Sequence, residues 1–350
     1  MQTKNLLKAG ILGLILVTTF ILGWEGYWRS RGYVATYNDD KVLWANKRHE
    51  AYQSKEKATV FIGSSRIKFD LDIPTWESIT GEKAVQLALV GTSPRLLLED
   101  LANDKNFNGK LVMDVTEVLF FSDAPFVNKS SKEAIGFYKK QTPSEKLSSL
   151  VDFALESKLA FLEESRFSLT SLSSDIPIQN RPGVYVFPAF PKSFSWTTYD
   201  RQTYMPEIFL TDTNDIKRVT GVWAMLGADP TPAVDGNALT KIFNEVKTNI
   251  DKIKSRGGKV ILVRTPSSGP FAMGEEKKYP KEKYWKQLVA FTETEGIHYQ
   301  DNPVTKILTC PEWSHLAPKD AVTYTKQLVQ SLEQKDWFST DEVTQNTLTN

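Results

Sequence analysis

Three residue types in this chain could together make and break an ester: a serine, a histidine and a carboxylate. The serine candidates stand in "VFIGSSRIKF", residues 60–69. There an apolar, β-branched run reaches Gly63, then Ser64, Ser65 and Arg66, and an amphipathic pattern begins. A serine hydroxyl is a poor nucleophile until a base takes its proton, and the base works best when a carboxylate orients it. The chain offers three histidines. His49 falls on a polar helical stretch and His298 inside a predicted strand, where a satisfied structural role is expected. His315, in "PEWSHLAPKD", follows Glu312 by three residues in a loop before the last helix. At that spacing one turn lets the carboxylate reach the far ring nitrogen while the near one faces a serine. Ser65 and His315 are so distant in sequence that only the fold can bring them together.

The elements that must do so alternate between strand and helix. "ATVFIG" (58–63), "AVQLALVG" (84–91), "GKLVMDVTEVLFF" (109–121), "KVILVRTP" (259–266) and "GIHYQD" (296–301) read as five strands. Between them Ser93-Pro94 opens a helix, as cap and first-turn proline should. Leu239, Ile242, Phe243, Val246, Ile250 and Ile253 recur at helical spacing until Gly257-Gly258. Further helices are predicted near 280–295 and 319–334. This alternation predicts an α/β fold with a doubly wound, parallel, five-stranded sheet. Its core spans 58–122 and 235–335. Residues 123–234 break the rhythm with a helical stretch near 143–163 and an aromatic-rich piece. That piece carries Tyr185, Phe187, Phe190, Phe194, Trp196, Tyr199 and Tyr204. The expected arrangement is an insertion or lid on the sheet's working edge, its rings packed mainly in the lid's own core. The tail 336–350 is polar and expected to be loose.

Composition narrows the classes. With 43 Lys+Arg against 42 Asp+Glu the net charge is +1, and no basic block gives the footprint of a nucleic-acid binder. The single cysteine, Cys310, leaves no internal disulfide and no multi-cysteine metal site. No histidine–carboxylate cluster has metal-ligand spacing, and no cofactor is expected. The N-terminus is different in kind. Leu6 to Trp24 is apolar but for Lys8, a run of roughly 28 Å as a helix, close to a bilayer's hydrocarbon thickness. Trp24, Tyr27 and Trp28 follow as an aromatic belt. The expectation is a single-pass anchor within residues 1–31, N-terminus inside, with a juxtamembrane helix in 32–57 and the remaining chain outside the cytoplasm. A cleaved signal peptide is the rival reading; the apolar run is long for one, and no small-x-small cleavage site follows.

In open α/β sheets the loops at the carboxyl ends of the strands build the site. Those ends carry Gly63-Ser64-Ser65-Arg66, Gly91-Thr92-Ser93, Arg264-Thr265-Pro266-Ser267-Ser268, and the loop with Glu312 and His315. "VFIGSSR", "LALVGTSP" and "EWSHL", in this order, resemble the blocks of the SGNH (GDSL-like) hydrolase superfamily over the core but not the insertion. The resemblance implies Ser65 as nucleophile, His315 as base and Glu312, in place of the usual aspartate, as its orienting acid. It also implies an oxyanion hole from the amides of Ser65 and Gly91. The family's Gly-x-Asn-Asp block is absent, "DVTEVLFF" standing there instead, so an oxyanion donor worth about 10²–10³ in rate must come from elsewhere. Arg66, Arg264 and Thr116 are the substitutes considered. Arg66 and Arg264 are also expected at the pocket mouth, where paired guanidiniums could clamp a carboxylate or phosphate; surface salt bridges are the alternative. Asp70 and Asp72 read as helix-start or surface charges.

The whole most resembles the membrane-anchored, acyl-transfer branch of that superfamily. Its members work outside the membrane beside a polytopic O-acyltransferase and modify envelope or secreted polymers. The expected function is an SGNH-like serine esterase or O-acyltransferase acting on a glycan-type substrate at the membrane. The competing expectation is a non-catalytic subunit that keeps the fold and holds a membrane complex or a polymer.

Overall fold

The computed structural model describes residues 2–52, 58–174, 188–228 and 230–338, together with 176 and 183. The chain divides into two compact units: Met1–Asn38 with Ser144–Phe187, and Asp39–Pro143 with Pro188–Asn350. The stretch 123–234 is therefore split, its middle joining the N-terminal helix and its ends joining the α/β core.

The larger unit is built on parallel strands β1 (Ala58–Ile62), β2 (Lys83–Gln86), β3 (Lys110–Asp114), β6 (Lys259–Arg264) and β7 (Gly296–His298). A two-residue antiparallel ribbon, β4 (Trp196–Thr197) and β5 (Thr203–Tyr204), stands apart. The sheet runs β2-β1-β3-β6-β7, the flavodoxin-like doubly wound order. Its direction of growth reverses between β1 and β3, and ligands bind at the carboxyl ends beside such a reversal. Side chains alternate between the two faces because strand residues do. Val60, Ile62, Leu111, Met113 and Leu262 pack with Leu97, Ile242, Val246 and Ile250. Phe61, Val112, Ile261 and Val263 pack on the other face with Trp76, Tyr324, Leu328 and Leu332. Both faces are thus covered by helices, Arg95–Asn103 and Gly236–Lys254 on one, Ile73–Thr80 and Pro318–Glu333 on the other.

Two elements differ from the pattern read in the sequence. The third apolar run stops being strand at Asp114, and Glu117–Phe120 is a helical turn. The apolar residues Phe120 and Phe121 serve the core from that turn, so a continuous apolar run did not mean a continuous strand. The juxtamembrane helix expected in 32–57 spans Lys41–Glu50, and it is not polar throughout. Leu43, Trp44 and Ala45 are buried, and the Trp44 indole donates to the carbonyl of Leu87 at 2.9 Å. Most of the predicted tail lies outside the described residues, but Trp337 at its start is buried in the second core.

The smaller unit holds the helix Gln2–Ser30, whose segment Asn5–Ser30 is long and apolar enough to cross a membrane and is not buried inside the protein. A signal sequence would have the same length and composition. Beyond its apolar run the helix is tied to the segment after the helix Pro143–Glu156. The Glu25 carboxylate accepts from the amides of Ala160 (3.0 Å) and Phe161 (3.3 Å), and Arg29 donates to the carbonyl of Lys158 at 2.8 Å. Trp28 and Tyr33 pack on the ring of Phe167.

Candidate active site

β1 ends in Gly63, and the reason is space. A Cβ there would lie 2.6 Å from Ile67 Cγ2 and 2.7 Å from Asp114 Cβ. Only a glycine lets the chain turn this tightly from β1 into the helix Ser65–Asp70. The two serines then separate in role. Ser64 caps that helix, accepting from the Arg66 amide at 3.3 Å and sharing a proton with Thr116 Oγ1 at 2.6 Å. Thr116 donates in turn to Asp114 Oδ2 at 2.8 Å, and Asp114 Oδ1 accepts from the Thr265 hydroxyl at 3.2 Å. Ser65 is the one residue of 58–71 that is not fully buried.

Ser65 Oγ lies 2.9 Å from His315 Nε2, across 250 residues of sequence. The other ring nitrogen, Nδ1, lies 3.0 Å from Glu312 Oε1. A carboxylate can only accept, so Nδ1 carries the proton and Nε2 is left free to receive one from the serine. Glu312 is fully buried and held from several sides. Its Oε1 also accepts from the amides of Ser314 (3.2 Å) and His315 (2.5 Å), and its Oε2 from the indole N–H of Trp223. Between Glu312 and Ser314, Trp313 adopts a left-handed backbone, φ 79°. That conformation is strained for a bulky residue, and it turns the loop so that both carboxylate and imidazole come from one short segment.

Aromatic rings fix the imidazole's plane. Phe69 stacks on it with centroids 4.2 Å apart, and Trp223 and Phe194 approach at 5.9 and 6.0 Å. Phe69 is four residues after Ser65, so one helix face presents both the hydroxyl and the ring against which the imidazole leans. The same helix also holds the loop of His315. Asp70 Oδ1 accepts from the Leu316 amide at 2.9 Å. Asp70 is fully buried rather than a surface charge. Burial pushes its carboxyl well above the usual range, and the neighbouring Asp114 adds to this. Asp72, by contrast, caps the helix Ile73–Thr80.

The remaining expected residues are placed as follows. Gly91 stands in the exposed turn after β2 with φ +63°, open space where a Cβ would be. The backbone ladder carries that turn alongside the serine's: the Leu89 amide donates to the Gly63 carbonyl at 3.1 Å, two residues before Gly91 and Ser65 respectively. Arg66 and Arg264 are buried, not at a pocket mouth. Arg66 reaches Glu275 at 2.5 Å and Ser314 at 3.4 Å; Arg264 holds Glu117 with Nε and Glu275 with Nη2. Burial alone would raise the Glu275 carboxyl, but the two guanidiniums outweigh it and hold it below its ordinary range. The pair thus ties the helix Gly269–Lys278 to β6 and to the helix Ser65–Asp70. Thr116 Oγ1 is engaged with Ser64 and Asp114. Among the three substitutes for the absent asparagine, only Arg66 Nη1 has no hydrogen-bond partner.

His298 and His49 lie elsewhere. Burial, with the cations Arg264 and Lys281, pushes the His298 ring down to about 2, and its Nδ1 accepts from the Gln300 amide. His49 pairs with Gln141. Among the described residues no group of three or more His, Cys, Asp or Glu side chains is placed to hold a metal ion. An open cleft of about 800 Å³ between the helices Arg95–Asn103 and Gly236–Lys254 is lined by Arg95, Glu99, Lys241 and Glu245, and by none of the residues around Ser65.

The partners that sequence reasoning missed are Trp223, Phe69 and Asp70. Trp223 belongs to the helix Thr213–Gly227, in the part of the chain set aside as insertion. Phe69 was findable from its helical spacing to Ser65. Of the aromatic-rich stretch, Phe194 and Trp196 are buried, and Phe190 packs on the cluster of Phe194 with Phe69, Met205 and Phe209; Tyr185 and Phe187 lie outside the described residues.

A doubly wound α/β sheet with a serine, a histidine and a glutamate hydrogen-bonded in series at its strand ends is the class of protein that this fold and site define. No protein-family model and no curated protein matches the chain. One solved structure that it resembles is described as a "putative acylhydrolase" from Bacteroides fragilis NCTC 9343. The alignment covers 83% of this chain and 98% of that one, at 11% sequence identity and a TM-score of 0.34. At that distance no residue's role carries across.

Proposed function

We propose that the chain is a serine hydrolase or acyltransferase of the SGNH type, working through an acyl-enzyme on Ser65. The observation that carries this is the 2.9 Å contact between Ser65 Oγ and the Nε2 of an imidazole whose Nδ1 is held by buried Glu312. Ser65 Oγ attacks an ester carbonyl while its proton passes to His315 Nε2. Glu312 keeps the ring in the required tautomer and stabilises the imidazolium that forms. The amides of Ser65 and Gly91 are the donors proposed for the oxyanion. The tetrahedral centre then collapses, His315 returns its proton to the leaving alkoxide, and the acyl group stays on Ser65 Oγ. Water or a second hydroxyl, deprotonated by the same imidazole, releases it.

The substrate class follows from the resemblance of the whole arrangement, apolar N-terminus and core together, to the membrane-anchored, acyl-transfer branch: an O-acylated glycan or other envelope polymer. In the same reading the helix Gln2–Ser30 is an uncleaved single-pass anchor, with Lys4 and Lys8 on the cytoplasmic side and the α/β unit outside. A polytopic O-acyltransferase is the proposed neighbour. The competing role, a non-catalytic subunit on the same fold, is favoured by one observation: Thr116 and Arg264, both considered as the third oxyanion donor, are committed to partners within the protein.

The two roles separate on purified full-length protein treated with p-nitrophenyl acetate. An acyl-enzyme gives a burst of p-nitrophenol and an acetyl group on the peptide that contains Ser65. A binding subunit gives neither.

A further inference from the structure

We propose that the helix Pro143–Glu156 lies on the membrane surface, its outer face immersed among the lipid headgroups and upper acyl chains. The inference rests on the reading of Gln2–Ser30 as the anchor and extends it from a single tether to a two-point seat.

The helix has two apolar faces where a helix packed on a water-facing unit should have one. Phe153, with Ser149 and Glu156, is buried against its own unit. On the opposite side Leu147, Leu150, Val151 and Leu155 follow at spacings of three, one and four residues, a single stripe on a 3.6-residue period. They are 67, 60, 58 and 48% exposed. Four large aliphatic side chains in one contiguous stripe form the kind of patch that marks a missing partner. Glu145 and Asp152 fall on a third side, and Ser148 lies at the border of the stripe beside Leu155.

What covers the stripe follows from where the helix is fastened. Directly after it, Lys158, Ala160 and Phe161 are hydrogen-bonded to Arg29 and Glu25. Glu25 directly follows Trp24 at the end of the apolar run and Arg29 lies one turn further, among Trp24, Tyr27 and Trp28. Such an aromatic belt sits at the headgroup level of a bilayer. The C-terminal end of Pro143–Glu156 is therefore pinned at the depth where an amphipathic helix is stable in the interface plane. Water would leave the stripe unsatisfied, whereas lipid continues the surface that the anchor already meets.

The test uses the full chain in phosphatidylcholine–phosphatidylglycerol nanodiscs, with Cys310→Ser to remove the native thiol and single cysteines carrying an environment-sensitive fluorophore. Leu147→Cys, Leu150→Cys and Val151→Cys probe the stripe, Glu145→Cys and Asp152→Cys the polar side, and Val17→Cys the anchor. All five helix sites are exposed, so labelling them leaves the packing intact. The stripe positions are expected to emit further to the blue than the polar ones and to be quenched by spin-labelled lipid. Water-like emission and iodide quenching at all five, with Val17 quenched by lipid, would overturn the proposal while leaving the anchor standing. That is also the result if the stripe belongs to a protein partner, since none is in the disc. Absence of lipid quenching at Val17 would overturn the anchor and this proposal together.

Discussion

The indole N–H of Trp223 donates to Oε2 of Glu312, the carboxylate oxygen that does not face the histidine. Glu312 is fully buried, and its Oε1 already receives His315 Nδ1 and two loop amides. Trp223 thus occupies the second oxygen and stops the carboxylate from rotating away. A positioning residue of this kind is expected to reveal itself in turnover rather than in binding. Trp223→Phe keeps an aromatic ring beside His315 but leaves a buried oxygen without its donor, at a cost of about 1–3 kcal/mol. The expectation is a kcat lowered by roughly 10–100-fold with KM little changed, measured on an activated ester. An unchanged kcat would leave Trp223 as packing alone.

Asp70 ties the helix Ser65–Asp70 to the loop of His315 through the Leu316 amide. Its buried carboxyl is held protonated well above the usual range, by burial first and then by Asp114. An amide of the same shape can accept the same hydrogen bond, so Asp70→Asn is expected to fold and to keep activity. Asp70→Ala is expected to lose both. The sign of the pH dependence follows. A carboxyl with a raised folded pKa contributes stability below its unfolded value near 4, and that contribution is lost as pH rises through the raised range. Asp70→Asn should therefore gain on the wild type between pH 4 and pH 8 in denaturant titrations. A gap that stays constant with pH would contradict the assignment of a neutral Asp70.

Two glycines near the site should respond differently to the same change. Gly63→Ala has no room, its Cβ meeting Ile67 and Asp114. Overpacking of this kind costs about 1–3 kcal/mol and would move Ser65 off its histidine. Gly91→Ala has open space and only the left-handed backbone against it, about 1–2 kcal/mol. Comparing melting curves with activity, Gly63→Ala should lose activity beyond what its stability loss explains. Equal residual activity in the two folded variants would undo the argument for Gly63.

His298 contributes the opposite pH dependence to Asp70. Its folded pKa, about 2, lies below the ordinary value of 6.5 because burial and the cations Arg264 and Lys281 disfavour the charged ring. The unfolded chain takes up a proton below pH 6.5 that the native state refuses. Stability therefore falls with falling pH by up to about 1.4 kcal/mol per pH unit below that point. His298→Gln, whatever it costs at neutral pH, should lose roughly 1–2 kcal/mol less than wild type between pH 7.5 and pH 5. Parallel losses in the two proteins would show that another group carries the acid sensitivity.

The sheet was legible because its signal is local. Short apolar runs ending in glycine or polar clusters marked five strands, and heptad-like spacing marked Gly236–Lys254. Ser65, Glu312 and His315 were also within reach, since strand ends and a three-residue carboxylate–histidine spacing are visible in a string. What the string hid depends on contacts across the chain. Arg66 and Arg264 read as cations at a pocket mouth or in surface salt bridges because nothing nearby in sequence reveals Glu275 and Glu117. Asp70 looked like a surface charge although Phe69 and Leu71 beside it are buried. The helix Lys41–Glu50 looked like a spacer because its buried Lys47 and Arg48 count as polar, while ion pairs with Asp200, Asp100 and Asp104 let them stay inside.

The most direct test is fluorophosphonate labelling of the full-length protein, comparing wild type, Ser65→Ala and His315→Ala after each is shown to fold. An activated serine predicts covalent labelling of the wild type at Ser65 and none of either variant. A folded wild type that stays unlabelled, or a Ser65→Ala protein labelled as strongly as wild type, would contradict the account.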